Sequence, residues 1–131
     1  MKQTMLMETY PIYTLELGKN AMTHNTMDSI LDYFLAKIEA HPIAQHIVTF
    51  DHYSHTKALG DKGEINPDIL DARDVVFCFG QKLPTPQMLA IRPRSIGVAE
   101  MADTFVISFL KTPMPHANEA METWAKGLIS Q

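Results

Sequence analysis

A stripe of apolar residues in the first third of the chain fits one kind of element, an amphipathic helix. Its members recur at steps of three and one, which sets them along one face of a helix: Met27, Ile30, Leu31, Phe34, Leu35 and Ile38. Asn25 can cap the first turn with Asp28 as its partner, and Pro42 disfavours continuation of the helix. A helix with a single apolar face must lie on a sheet or on another helix.

The other periodic segments predict a sheet and a second helix. Alternating or continuously apolar runs predict five strands, at residues 10–17, 43–52, 74–79, 95–101 and 104–110. The third of these is apolar throughout, which is typical of a strand covered on both faces. Residues 54–59 and 85–90 predict short helical turns, and a last helix starts at Pro115 with one apolar face: Ala117, Met121, Trp124 and Leu128.

This order of elements predicts the fold class. The pattern β-α-β-β-β-β-α, with strands clustered between two amphipathic helices, indicates an α+β fold in two layers. An antiparallel sheet forms one layer, and the helices pack on one face of it. At 131 residues, the chain fits one domain, residues 1–131, that can bury a core without metal or disulfide.

Charge and cysteine content limit the classes of function. A net charge of −4 with scattered lysines and arginines argues against nucleic-acid binding. No segment approaches the roughly 18 apolar residues of a membrane span, and the first eight residues lack the apolar core of a signal peptide. Because Cys78 is the sole cysteine, no disulfide can form within the chain, and we expect a cytoplasmic protein that binds neither membranes nor nucleic acid.

Several short motifs in residues 25–113 resemble one bacterial family. They are Asp51-His52, Ala58 with Gly60, Phe79-Gly80, Thr85-Pro86 followed by Met88, Pro93, and Ser108-Phe109 with Pro113. In this combination they resemble the family named domain of unknown function 302. The chain departs from it in three places: at Gln81-Lys82, where Asn-Pro is usual, at Pro84, where glycine is usual, and in lacking a Leu-Pro pair before the penultimate strand. The resemblance implies a compact α+β domain that forms homodimers, and it implies no catalytic role because the family's function is not established.

The first candidate site lies where the second predicted strand ends, at Asp51, His52 and His55. A carboxylate next to an imidazole can orient it and raise its pKa, as in general bases and in metal sites. The bland alternative is an aspartate that caps the turn beside an exposed histidine. A zinc site would need two further ligands from the remaining histidines, so we expect no metal; those histidines are His24, His41, His46 and His116.

The second candidate site is the loop from Gly80 to Pro86. Thr85 can cap the short helix that follows, which would leave free N–H groups for a small anion or carboxylate. Arg92 and Arg94 come soon after and could add charge-assisted contacts, although an ordinary cap with solvent-exposed arginines is the simpler explanation of the pattern. Cys78 lies inside an apolar run, so we expect a buried and inert thiol.

Taken together, these patterns favour a binding module over an enzyme. We expect a homodimeric ligand-binding or regulatory module in which both candidate sites border one pocket: Asp51, His52, His55, Gly80, Thr85 and Arg92. The alternative is an enzyme acting on a small acidic substrate, with His52 as general base oriented by Asp51. The nine methionines suit core packing or a dimer contact, and a copper site at Met5 and Met7 is the other interpretation. No cofactor is indicated.

Overall fold

A computed structural model describes residues 1–129 of the protein. Six strands and three α-helices follow one another along the chain: β1 (Lys2–Leu6), β2 (Tyr10–Gly18), α1 (Met27–Ala40), β3 (Gln45–Phe50), α2 (His52–Ala58), β4 (Asp71–Cys78), β5 (Arg94–Glu100), β6 (Thr104–Leu110) and α3 (Pro115–Lys126). Three short 3₁₀ helices lie between them: Lys19–Ala21, Gly60–Lys62 and Pro86–Ile91. None of the helices in residues 1–129 has the length and apolar character needed to cross a bilayer.

The strands form one antiparallel sheet in the order β1-β2-β6-β5-β4-β3. The predicted two-layer α+β class is confirmed, and the sheet gains one strand that the sequence did not predict. That strand, β1, is exposed along its whole length, so no apolar alternation marks it. It pairs with β2 through a tight turn in which Met7 and Glu8 adopt positive φ angles of 53° and 59°.

The core lies between α1, α3 and one face of the sheet. From α1, the buried side chains are Met27, Ile30, Leu31, Phe34 and Ile38, as the apolar stripe predicted. From α3 they include the predicted Ala117, Met121 and Trp124, and Leu128 follows just beyond its end. The sheet contributes alternate residues such as Val75, Phe77, Ile96, Val98, Phe105 and Ile107. Several methionines, Met22, Met27 and Met121, pack in this core, which agrees with a gap-filling role.

Two details of α1 differ from the prediction. The helix begins at Met27, so the capping residue is Thr26 and not Asn25. The Thr26 hydroxyl accepts from the Ser29 N–H at 3.2 Å, and the Ser29 hydroxyl accepts from the Thr26 N–H at 3.2 Å, which makes Ser29 the partner in place of Asp28. Leu35 is only half-buried, because its side chain lies at the rim of the stripe beside a groove next to β3.

Strand β4, next to the edge strand β3, is not covered on both faces. Val75 and Phe77 are fully buried on the helix side, whereas Val76 and Cys78 are half-buried on the other side. The expectation of a fully buried strand and a buried Cys78 was therefore wrong. On this second side α2 reaches one corner, where His52 and His55 pack against Phe50, so the apolar run of β4 is only partly covered here. We call this second side of the sheet the open face.

Candidate functional site

One cavity lies at the end of the sheet where β4 and β6 finish. It has a volume of about 280 Å³ and draws its walls from the loop after β4, the 3₁₀ helix Pro86–Ile91 and the entry to α3. Its lining residues are Phe79, Gly80, Gln81, Lys82, Pro84, Met88, Arg92, Met114 and His116. We call it the Arg92 cavity. Apolar walls with a few cationic groups are the usual make-up of a small-molecule site.

Local structure explains why the cavity forms at this place. Gly80 has φ +56°, a left-handed conformation that lets the chain turn sharply as it leaves β4. Phe79, at the cavity wall, packs against Trp124 with ring centroids 5.9 Å apart and meets His41 edge-on at 5.2 Å. These aromatic contacts hold the wall against the core.

The opposite wall is fixed by a buried hydrogen-bond pair. The Asn118 side chain accepts from the Thr112 N–H at 2.8 Å and donates to the Thr112 carbonyl at 2.8 Å. Both residues are buried, so this pair anchors the loop that leads into α3. Met114 and His116 sit on that loop and the first turn of α3, and the pair thereby sets where they meet the cavity.

Arg92 is the least satisfied charged group in this cavity. Its Nε is buried and has no hydrogen-bond partner, and its Nη2 reaches only the Met114 thioether sulfur, at 3.9 Å. Within residues 1–129 no carboxylate forms an ion pair with it. A guanidinium carries five N–H donors, so most of the hydrogen-bonding capacity of Arg92 is unused by the protein.

Arg94, two residues later, has the opposite situation. It is buried, and its two terminal nitrogens donate to the carbonyls of Ile91 at 2.9 Å and Leu110 at 3.1 Å. Burial lowers the pKa of its guanidinium. Although Arg94 Nε lacks a partner, its ends hold the 3₁₀ helix against β6. Arg94 was predicted to contact a ligand, but its terminal nitrogens are used for these two backbone carbonyls.

The aspartate and histidines of the first candidate site lie elsewhere. Asp51 caps α2: its Oδ1 accepts from the Ser54 N–H at 3.0 Å and its Oδ2 from the Ser54 hydroxyl at 2.8 Å. Arg73 Nε also lies 3.4 Å from Oδ1. The hydrogen bonds from the Ser54 N–H and hydroxyl lower the pKa of the Asp51 carboxyl, and the nearby Arg73 charge lowers it further.

Asp51 does not orient His52. Its oxygens are occupied by Ser54 and Arg73, whereas His52 packs edge-on against Phe50 with ring centroids 5.6 Å apart. His55 lies 5.4 Å from the same Phe50 ring. The general-base alternative requires a hydrogen bond between Asp51 and His52, and none is present within residues 1–129. Asp51 instead caps α2, which is the simpler of the two roles considered for it.

The two predicted sites do not border one pocket. Phe50, at the end of β3, pairs with Asp74, whereas Gln45 at the start of β3 pairs with Cys78 at the end of β4, so about 13 Å of strand separates the two pairs. His52 lines shallow depressions at the first end, whereas Gly80 and Arg92 line the cavity beyond the second. The prediction of a single site was wrong. Asp51 and His52 follow the end of β3 and Gly80 follows the end of β4, and because these two strands are antiparallel, their ends lie at opposite edges of the sheet.

Thr85 also departs from its predicted role. It precedes the 3₁₀ helix Pro86–Ile91, but its side chain makes no capping hydrogen bond, and only its carbonyl accepts from the Met88 N–H at 3.2 Å. It follows Pro84 in the loop without lining the cavity. Of the predicted ligand-binding residues, Gly80 and Arg92 line this cavity, and the prediction did not include Met88, Met114 and His116, which line it as well. The last two lie more than thirty residues from Gly80, and no local pattern links them to it.

Comparison with known proteins agrees with this fold and supplies no activity. The model of a family of unknown function, DUF6858, matches residues 1–130. No curated protein matches the chain. A solved structure is similar, that of an uncharacterized conserved protein, DUF302, from Bacillus stearothermophilus, with 15% identity and a TM-score of 0.57 over 89% of this chain and 94% of that one. The predicted resemblance to domain of unknown function 302 is thus confirmed at the level of the fold.

Proposed function

Because the chain belongs to the DUF6858 family, whose function is unknown, its activity has to follow from its own residues, and we propose that it is a homodimeric module that binds a small anionic ligand in the Arg92 cavity. The observation that carries this proposal is the guanidinium of Arg92, with a buried Nε that lacks any hydrogen-bond partner. Burying a polar group without a partner is unfavourable, and for a charged group the cost is larger.

An anion in the cavity would satisfy this guanidinium. Carboxylates accept two parallel hydrogen bonds from the planar fork of an arginine, which gives both affinity and orientation. Lys82 also lines the cavity and is exposed, so it adds positive charge near the opening at low cost, and His116 beside it offers a further polar ring. Among residues 1–129, no acidic side chain lines the cavity to compete for these groups. A cytoplasmic location, expected from the lone thiol, stays a prediction.

Anion binding can be tested with one substitution and a matched control. Titrating the protein with benzoate, acetate and inorganic phosphate, followed by NMR shifts of the Gly80 and Gln81 amides, should show saturable binding of at least one anion. Arg92→Gln should weaken that binding at least about tenfold, because a hydrogen bond to a charged group contributes about 1.5–3 kcal/mol. Lys111→Gln, at an exposed lysine outside the cavity, is the control and should bind normally. Equal binding by the Arg92→Gln protein contradicts the proposal.

The homodimer proposal rests on the open face. One row of paired residues crosses all six strands on this side: Phe50, Asp74, Gly97, Ser108, Thr14 and Lys2. At about 4.8 Å between strands and 3.3 Å per residue, the face measures roughly 24 by 23 Å, which would bury about 1,100 Å² in two copies. That total is just above the roughly 1,000 Å² that a specific interface needs.

This row is complementary to itself under a twofold axis. An axis parallel to the strands and between β5 and β6 would lay Lys2 of each copy over the Phe50 and Asp74 end of the other. Neither Asp74 nor Lys2 forms an ion pair inside the described chain. Gly97, without a side chain, would face Ser108 of the second copy, so the two sheets could approach closely at the centre.

Charge reversal tests this arrangement. Light scattering of the unaltered protein should give twice the 14.8 kDa chain mass. Asp74→Lys and Lys2→Glu should each weaken the dimer, because each places like charges together, and the double variant should restore it. Lys62→Glu, at an exposed lysine of the 3₁₀ helix Gly60–Lys62, serves as the control. A monomeric unaltered protein contradicts the homodimer, whereas a dimer unaffected by either reversal rules out this surface.

A further inference from the structure

The walls of the Arg92 cavity restrict which anion it can hold. We infer that its ligand is a small monocarboxylate with an apolar tail, an inference that rests on the anion site proposed above. Four of the nine lining residues are apolar and large: Phe79, Pro84, Met88 and Met114. Phe79 is only 5% exposed, so its ring surface toward the cavity is part of the packed core.

The cationic groups of the cavity favour one carboxylate over a phosphate. Among the lining residues Arg92 is the one cation with a buried charged group, because Lys82 is exposed and keeps its contact with water. One guanidinium matches the charge and the planar geometry of one carboxylate. A phosphate ester bears more charge and three acceptor oxygens, and it is usually met by several donors such as backbone N–H groups at a helix start. The short helix here begins with Pro86, which has no N–H to offer.

Size limits the ligand from above. The cavity has a volume of about 280 Å³, near the lower end of the roughly 300–1,000 Å³ that is usual for ligand pockets. A ligand of eight to ten non-hydrogen atoms fits this volume, as in benzoate or hexanoate. Nucleotides and dinucleotides are much larger than this. The carboxylate would lie on Arg92 and the tail between Met88, Met114 and Phe79, whose flexible thioethers can adapt to its shape.

The same residues raise one competing assignment, a Cu(I) site. Met88, Met114 and His116 all line the cavity, and thioether and imidazole groups suit soft metal ions. However, the Arg92 guanidinium lies 3.9 Å from the Met114 sulfur, so a fixed positive charge occupies the position next to that ligand. Repulsion between like charges favours an anion there. The test below includes Cu(I) for this reason.

The experiment compares ligands that differ in one property at a time, by calorimetry on the unaltered protein. Benzoate and hexanoate should bind at least tenfold more tightly than acetate, and benzamide, the neutral isostere of benzoate, should lose most of that affinity. Inorganic phosphate should bind no better than acetate. Met88→Ala should narrow the ratio of benzoate to acetate affinities, whereas Lys111→Gln should leave the ratio unchanged.

The outcomes separate this inference from the anion site on which it rests. If acetate or phosphate binds as tightly as benzoate, and the binding still depends on Arg92, the apolar-tail inference is overturned while the anion site stands. If no anion binds with dependence on Arg92, both are overturned. Tight binding of Cu(I) that Met114→Leu abolishes, in the absence of carboxylate binding, would also overturn both.

Discussion

The charged groups at the two ends of β4 differ in how far their hydrogen-bonding capacity is used. At the end near α2, Asp51 is fully engaged by Ser54 and by Arg73, and the histidines beside it pack on an exposed aromatic ring. At the other end, Arg92 lines an apolar cavity with a buried nitrogen that has no partner. The first end is the more prominent in the sequence, because an acid and two histidines lie within five residues there. The second has the hydrogen-bonding capacity that a ligand could use.

The comparison teaches that a cluster of reactive residue types is weaker evidence of a site than unmet bonding capacity. A carboxylate that already accepts three contacts has little left for catalysis or for orienting a neighbour. The guanidinium of Arg92 keeps most of its donors available, and its buried Nε has no hydrogen-bond partner within residues 1–129. Arg92 and Arg94 make the same point two residues apart, because Arg94 donates to two carbonyls and Arg92 to a thioether alone.

The largest expected effect comes from the core that both ends share. Phe34 is fully buried beneath the sheet, and Phe34→Ala should lower the free energy of unfolding by about 3–5 kcal/mol, through lost burial and the cavity left behind. Chemical denaturation measures this, with Leu89→Ala as the control at a side chain that is 61% exposed. A loss below about 1 kcal/mol for Phe34→Ala would mean that α1 does not pack as described.

A smaller and more local effect should follow at the cavity end. Asn118→Ala removes both hydrogen bonds to Thr112 and leaves two buried backbone groups unpaired, so we expect a loss of about 1–3 kcal/mol. Benzoate affinity should fall together with stability, because Met114 and His116 depend on this anchor. Asn25→Ala is the matched control, since Asn25 is exposed and lies outside the cap of α1. Unchanged ligand affinity in Asn118→Ala would show that the loop keeps its place without the anchor.

Most of the fold could be predicted from the sequence, whereas the geometry of the site could not. The stripe from Met27 to Ile38 and the face of α3 were confirmed because helical periodicity is local and its apolar face has one place to go. Strand β1 was missed because all five of its residues are exposed and its stability comes from pairing with β2. The separation of His52 from Gly80 follows from the direction of β4 between them, which residue types at strand ends do not reveal.

The smallest expected effect concerns the α2 end of β4, where Asp51 should make the stability of the protein depend on pH. Its carboxyl pKa is lowered in the folded protein, so the charged form stabilises folding above the unfolded pKa of about 3.9. This contribution is lost as the pH falls through the folded value, because both states are then protonated. The difference in urea midpoint between the unaltered protein and Asp51→Asn should therefore shrink as the pH falls below about 4.

The control for this measurement is Asp68→Asn, at an exposed aspartate whose carboxylate forms no ion pair within residues 1–129. Its difference from the unaltered protein should stay flat over the same pH range. If Asp51→Asn were equally flat, the Asp51 carboxylate would not be held by Ser54 in solution. It would then be free to act on His52, and the contrast between the two ends of β4 would be lost.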